Sequence, residues 1–216
     1  MFDLFGPPDI QLVTALTSLI IGAIIWRSER GVEGRLFALF FFTASAWAVM
    51  MGIALVSAPE IAMPLARFCV LVVSVAGAFF WASAYSLAHK ASAKLIGTIT
   101  AASALLGAVV GFVVGEPAFH TGGSNPFVYT GMIYVWMALP VGLAAMAFYH
   151  MFSVIKRLPK DKMKMRFRRF TFWIGGACVA AVVLNVVSTI PDMPQVGVIG
   201  LLLVAYATYH TFIRPA

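Results

Sequence analysis

The run KRLPKDKMKMRFRR, Lys156 to Arg169, carries Lys156, Arg157, Lys160, Lys162, Lys164, Arg166, Arg168 and Arg169 against one acid, Asp161. Its net charge of +7 equals the formal net charge of the whole 216-residue chain, so everything outside it is apolar or close to neutral. A soluble domain is about one-quarter charged. Here charged residues make up 11% and hydrophobic residues 62%, with a mean hydropathy of +0.95. That composition excludes a soluble globular fold and predicts an integral membrane protein. A pI near 9.7 does not point to nucleic acid, because the basic residues lie in short runs between long apolar segments, where they read as flanks of membrane spans.

Five apolar segments precede the run, at about Ile10–Trp26, Leu36–Val56, Pro64–Leu87, Leu95–Gly115 and Gly131–Ile155. Two follow it, at Phe170–Ile190 and Val196–Ile213. Each is near the roughly 17 to 25 residues that a helix needs to cross a bilayer. The connectors are RSERGVEGR (27–35), SAPEIAMP (57–64), a short polar stretch with His89, Lys90 and Lys94, the Gly- and Pro-rich EPAFHTGGSNPFVYT (116–130), read as irregular, the basic run, and PDMPQ (191–195). The expectation is one all-α domain over residues 1–216, a bundle of seven transmembrane helices. Of 15 Lys and Arg residues, 13 in alternate connectors and Arg214 after the seventh span fall on one side, and Arg67 alone falls on the other. By the positive-inside rule the N-terminus lies outside and the C-terminus in the cytoplasm. MFDLFGPPDIQ has no basic residue, so it lacks the n-region of a cleavable signal and the first span is expected to stay in the mature protein.

Several features bear on function. Ser103, Gly107, Gly111 and Gly115 recur every four residues in the fourth span, and Ser74, Ala78, Ala82 and Ser86 do so in the third. Small residues at this spacing let helix backbones approach closely, within the chain or toward a homodimer or a membrane-protein partner, and the first is preferred. Pro140 is expected to kink the fifth span, and Tyr134, Trp136 and Met137 beside the bend are candidates to line an apolar ligand pocket toward the outer leaflet, though a kink also serves packing alone. Asn185 and Ser188, with Tyr206 of the seventh span, form the polar candidates for a ligand cavity in the outer half, though a buried Asn also serves as interhelical glue. In the basic run, Lys160, Lys162, Lys164, Arg166, Arg168 and Arg169 alternate with Met and Phe, a pattern suited to contact with anionic lipid or an acidic partner.

His89, His150 and His210 stand at similar depth near the cytoplasmic ends of three spans. Paired membrane histidines hold haem in other proteins, but an interfacial place beside a basic flank explains each of these without haem, and no metal or cofactor is expected. Cys69 and Cys178 sit inside apolar segments without metal-ligand spacing, as small buried hydrophobes do. No acid or base falls in the middle third of any span, so the chain lacks the usual residues of a proton relay. The seventh span has no lysine for a Schiff base, and the connectors carry no HExxH, GxSxG, P-loop or paired-acid motif. Catalysis is therefore not expected.

The seven-span pattern resembles the sensor region of bacterial histidine kinases. The residues behind the resemblance are Trp47 in FFFTASAWAV, Arg67 in PLARF, RFRRFTFWIGGACVAAVVLNVV with Asn185, and the ending YATYHTFIR. The resemblance implies a bacterial inner-membrane module that senses a signal in a cavity among the third, fifth and sixth spans and passes it inward. The sequence read stops where the linker to a kinase would begin, so phosphotransfer is not implied. A relay through a separate cytoplasmic partner is the expectation. An accessory subunit of a respiratory or photosynthetic membrane complex, docked by the glycine stripe, is the alternative.

Overall fold

The computed structural model describes residues 7–90, 92–114, 117–119, 127–129, 131–159, 162–187 and 199–213; within these, the side chains of 7–8, 114, 117–119, 127–129, 131–137, 181–187 and 212–213 are excepted. Seven α-helices lie among the described residues: α1 (Pro7–Ser28), α2 (Val32–Val56), α3 (Pro59–Ala88), α4 (Ala93–Val109), α5 (Gly131–Arg157), α6 (Lys162–Val187) and α7 (Ile199–Thr208). Five-residue π-helical turns, Val110–Val114 and Tyr209–Ile213, continue α4 and α7. Among the described residues five helices are long and apolar enough to cross a membrane: α1, α2, α3, α4 with its π turn, and α5. Helix α6 opens on a charged stretch, and α7 is ten residues long.

The helices run further than the hydropathy pattern predicts. Within 27–35, only residues 29–31 separate α1 from α2, and the Arg35 amide donates to the Gly31 carbonyl at 3.1 Å. The segment read as the turn SAPEIAMP is mostly the start of α3. Pro59 takes the first helical position, where no N–H is needed, and the Ala58 carbonyl accepts from Ile61 and Ala62 at 3.0 and 2.9 Å. Pro64 therefore lies inside the helix and does not begin it.

The basic run is corrected in the same way. It is not wholly a connecting loop: Lys156 and Arg157 end α5 and Lys162 to Arg169 form the first two turns of α6, because Lys, Met and Arg are good helix formers. The Lys164 ammonium donates to the Leu158 carbonyl at 3.0 Å and ties the two ends together. The loop read as irregular contains a short antiparallel hairpin, β1 (Pro117–Phe119) with β2 (Phe127–Tyr129), Ala118 opposite Val128. Its strands hold aromatic and β-branched residues, which outweigh the Gly-rich centre locally.

Packing follows a ring: α1 lies on α2, α2 on α3, α3 on α5, α5 on α6, α6 on α7, and α7 returns to α1. Helix α4 stands outside the ring against α3. Alanine is the commonest residue of the buried apolar set, while Leu105, Tyr149 and Val113 are 67%, 72% and 78% exposed. Large apolar groups outside and small ones between helices is the arrangement expected where lipid removes the hydrophobic drive and close packing takes over.

The larger buried residues gather where helices meet. Phe37 is edge-on to Phe41 (5.1 Å) and to Phe170 (6.1 Å), and Phe80 touches Phe40 (5.4 Å) and Phe148 (5.9 Å), so rings from α2, α3, α5 and α6 share one cluster. Interior hydroxyls donate to carbonyls one turn back, as Thr14 does to Ile10 (2.8 Å), Thr171 to Phe167 (2.9 Å) and Thr208 to Val204 (2.8 Å). That satisfies them without demanding a partner helix. Ser45 instead donates across to Ala15 of α1 at 2.8 Å, and Ser83 to Glu33 of α2 at 2.9 Å.

Candidate functional site

Helix α6 sorts its residues by face. Phe167, Phe170, Thr171, Ile174 and Ala177 recur at three- and four-residue steps and are buried, which fixes the inward side. The outward side begins with Lys162, Arg166, Arg168 and Arg169, all exposed, and continues through Phe172 and Trp173, which are 57% and 56% exposed. The Arg168 guanidinium lies 5.7 Å over the Phe172 ring. Residues 160 and 161 lie outside the described residues, Lys160 among them.

Beside this face, between α6 and α7, a groove of about 500 Å³ is lined by Met165, Arg168, Arg169, Phe172, Trp173, Gly176 and Ala177 of α6 and by Leu203 of α7. Gly176 supplies its depth, since among the described residues a methyl group added there would meet nothing within 4 Å. Charge is confined to one end. Arg169 and Gly176 are seven residues apart, about 10 Å along a helix axis, so a cationic mouth gives way to an apolar trough. Of these residues the sequence reading singles out only Arg168 and Arg169. The spacing Met165, Arg169, Trp173, Gly176 on one helical stripe was the signal available for the rest.

Of the outer-half ligand candidates, Tyr206 alone has a described side chain. The side chains of Tyr134, Trp136 and Asn185, and the whole of Ser188, lie outside the described residues. Tyr206 is described: its ring lies 6.5 Å from Trp173 and 4.3 Å from His210. Trp173 and Asn185 are twelve residues apart on one helix, about 18 Å. Tyr206 thus flanks the groove at the basic end. Pro140 sits inside an uninterrupted α5, and its Cα and Cβ would lie 3.5 Å from a methyl group added to Gly77 of α3. The proline shape is accommodated against a residue with no side chain.

The histidines divide too. His89 and His150 meet at 5.2 Å with rings perpendicular, and Tyr85 lies against both at 4.9 and 5.2 Å, its other face stacked on Trp81 at 5.2 Å. His150 is buried, and among the described residues its Nδ1 has no hydrogen-bond partner. His210 packs instead with Tyr206 and Tyr209, so three histidines do not converge. Among the described residues no group of three or more His, Cys, Asp or Glu side chains is placed to hold a metal ion.

The small-residue stripe lies against α3. A methyl group at Gly107 would stand 2.9 Å from the Leu71 Cα and 2.6 Å from the Ser74 hydroxyl, and one at Gly111 would stand 2.7 Å from the Arg67 carbonyl oxygen. Ser103 is buried on the same side, and Gly115 lies outside the described residues. This face of α4 is thus occupied within the chain. The chain matches no protein-family model. Nor does any curated protein match it significantly. The likeness to kinase sensor regions rests on the residues that carry it.

Proposed function

We propose that the chain is a non-catalytic seven-span sensor module of a bacterial inner membrane, with its N-terminus outside and its C-terminus in the cytoplasm, relaying to a separate partner at its basic end. The observation that carries the reading is the continuity of α6. One helix runs from the exposed cations at Lys162 and Arg166 to Val187, past Asn185, so a displacement at the outer half is delivered to the basic face by a rigid element. The accessory-subunit reading draws less support, because the glycines it assigned to docking already meet α3.

Topology is tested by labelling single cysteines in intact cells after Cys69→Ala and Cys178→Ala. Lys94→Cys is expected to react only once the membrane is opened, and Ser124→Cys without opening. The reverse pattern overturns the orientation. Relay is tested by gentle extraction. A stoichiometric partner is expected with the unaltered chain and lost from the Lys162→Gln, Lys164→Gln, Arg166→Gln variant; a chain that purifies alone in both forms overturns the reading.

A further inference from the structure

We propose that the groove between α6 and α7 holds one anionic phospholipid, its phosphate between Arg168 and Arg169 and an acyl chain along Phe172, Trp173, Gly176 and Leu203. The proposal rests on reading the basic end as the cytoplasmic membrane face. Three observations carry it. The groove is closed at neither charge nor size: about 500 Å³ of space adjoins two guanidinium groups, and among the described residues no carboxylate lines it. Arg168 and Arg169 are consecutive, so the helix points them roughly 100° apart and they bracket the mouth, with Arg168 braced on the Phe172 ring at 5.7 Å. The trough beyond them is apolar and deepened by Gly176, where an added methyl group would meet nothing within 4 Å among the described residues.

Guanidinium groups take phosphate oxygens in a forked geometry. Excess positive charge at the mouth repels the cationic part of a zwitterionic headgroup and favours one that is anionic throughout. The roughly 10 Å from arginine to glycine matches the passage from headgroup to upper acyl chain at a membrane surface. An acidic protein segment would be drawn to the same cations but has no use for the trough.

The test uses the full chain, stripped of lipid in a neutral detergent and given phosphatidylglycerol or phosphatidylcholine of identical acyl chains, with retention read by native mass spectrometry and Tm. One phosphatidylglycerol per chain is expected, with a raised Tm, and no such retention of phosphatidylcholine. Arg168→Gln with Arg169→Gln is expected to weaken retention at least about tenfold, as for the loss of charge-assisted phosphate bonds. Gly176→Leu, which fills the trough and leaves both arginines in place, is expected to abolish it. Lys162→Gln with Arg166→Gln, equally exposed but outside the groove, is expected to leave it nearly unchanged.

Equal retention of the two lipids, an unaffected Gly176→Leu protein, or equal losses from the two charge variants overturns the proposal. So does a photo-reactive residue at position 173 that crosslinks in native membranes to a protein instead of a lipid. Because the lipid assay is made in detergent, it reads the groove independently of orientation, which the cysteine labelling decides.

Discussion

Replacing Gly111 by alanine adds one methyl group where the nearest atom is the Arg67 carbonyl oxygen, 2.7 Å away. Ordinary contact for such a carbon begins near 3.4 Å, so α4 and α3 must part by about 0.7 Å, and backbone cannot rotate aside as a side chain would. Gly107→Ala meets the same obstacle in the Leu71 Cα at 2.9 Å. Overpacking of this kind costs about 1–3 kcal/mol. The control is Gly97→Ala on the same helix, where the added methyl meets nothing within 4 Å and the better helix propensity of alanine is worth up to about 1 kcal/mol. Unfolding followed in mixed micelles is expected to rank Gly97→Ala at or above the unaltered protein, with Gly107→Ala and Gly111→Ala below it. The double replacement should fall short of additivity, since the first displacement makes room for the second. Equal stabilities across the three single variants would refute the close approach of α4 to α3.

Two further outcomes follow from the interior. Ser18 is fully buried, and among the described residues its hydroxyl has no hydrogen-bond partner, so Ser18→Ala is expected to raise stability by about 1 kcal/mol, whereas Ser45→Ala removes the 2.8 Å bond to Ala15 and is expected to lower it by about as much. The same unfolding assay distinguishes them by sign. Phe41 is 0% exposed at the meeting of α2 with the aromatic cluster, and Phe41→Ala is expected to cost about 3–5 kcal/mol in that assay.

Much of the helical layout was legible in the apolar segments, and so was the spacing Ser103, Gly107, Gly111. Which helix the glycines meet was not, because a four-residue repeat marks a face without naming its neighbour. Helix ends were misread where polarity was taken for a break. Pro59 starts a helix because the first position needs no donor, and Lys162 to Arg169 form one because the helix propensity of Lys, Met and Arg outweighs the repulsion among cations in the first turns. Tyr206 is a candidate beside Asn185 by polarity alone, and polarity along a sequence does not give depth; its contact is with Trp173, twelve residues before Asn185 on α6. The groove was hidden for a related reason, since Gly176 becomes informative only when a missing side chain is seen beside Leu203 of another helix.

The π turn at Val110–Val114 gives the α3–α4 contact a further meaning. Its hydrogen bonds reach across five residues where an α-helix reaches four, so the turn stores one surplus residue. Gly111 lies within it, at the closest approach to the Arg67 carbonyl. A helix that absorbs a one-residue insertion in this manner keeps the register of everything before it. The stretch from Val110 to Val114 is accordingly the part of α4 where the chain can lengthen or shorten by one residue while Ser103 and Gly107 stay seated on α3.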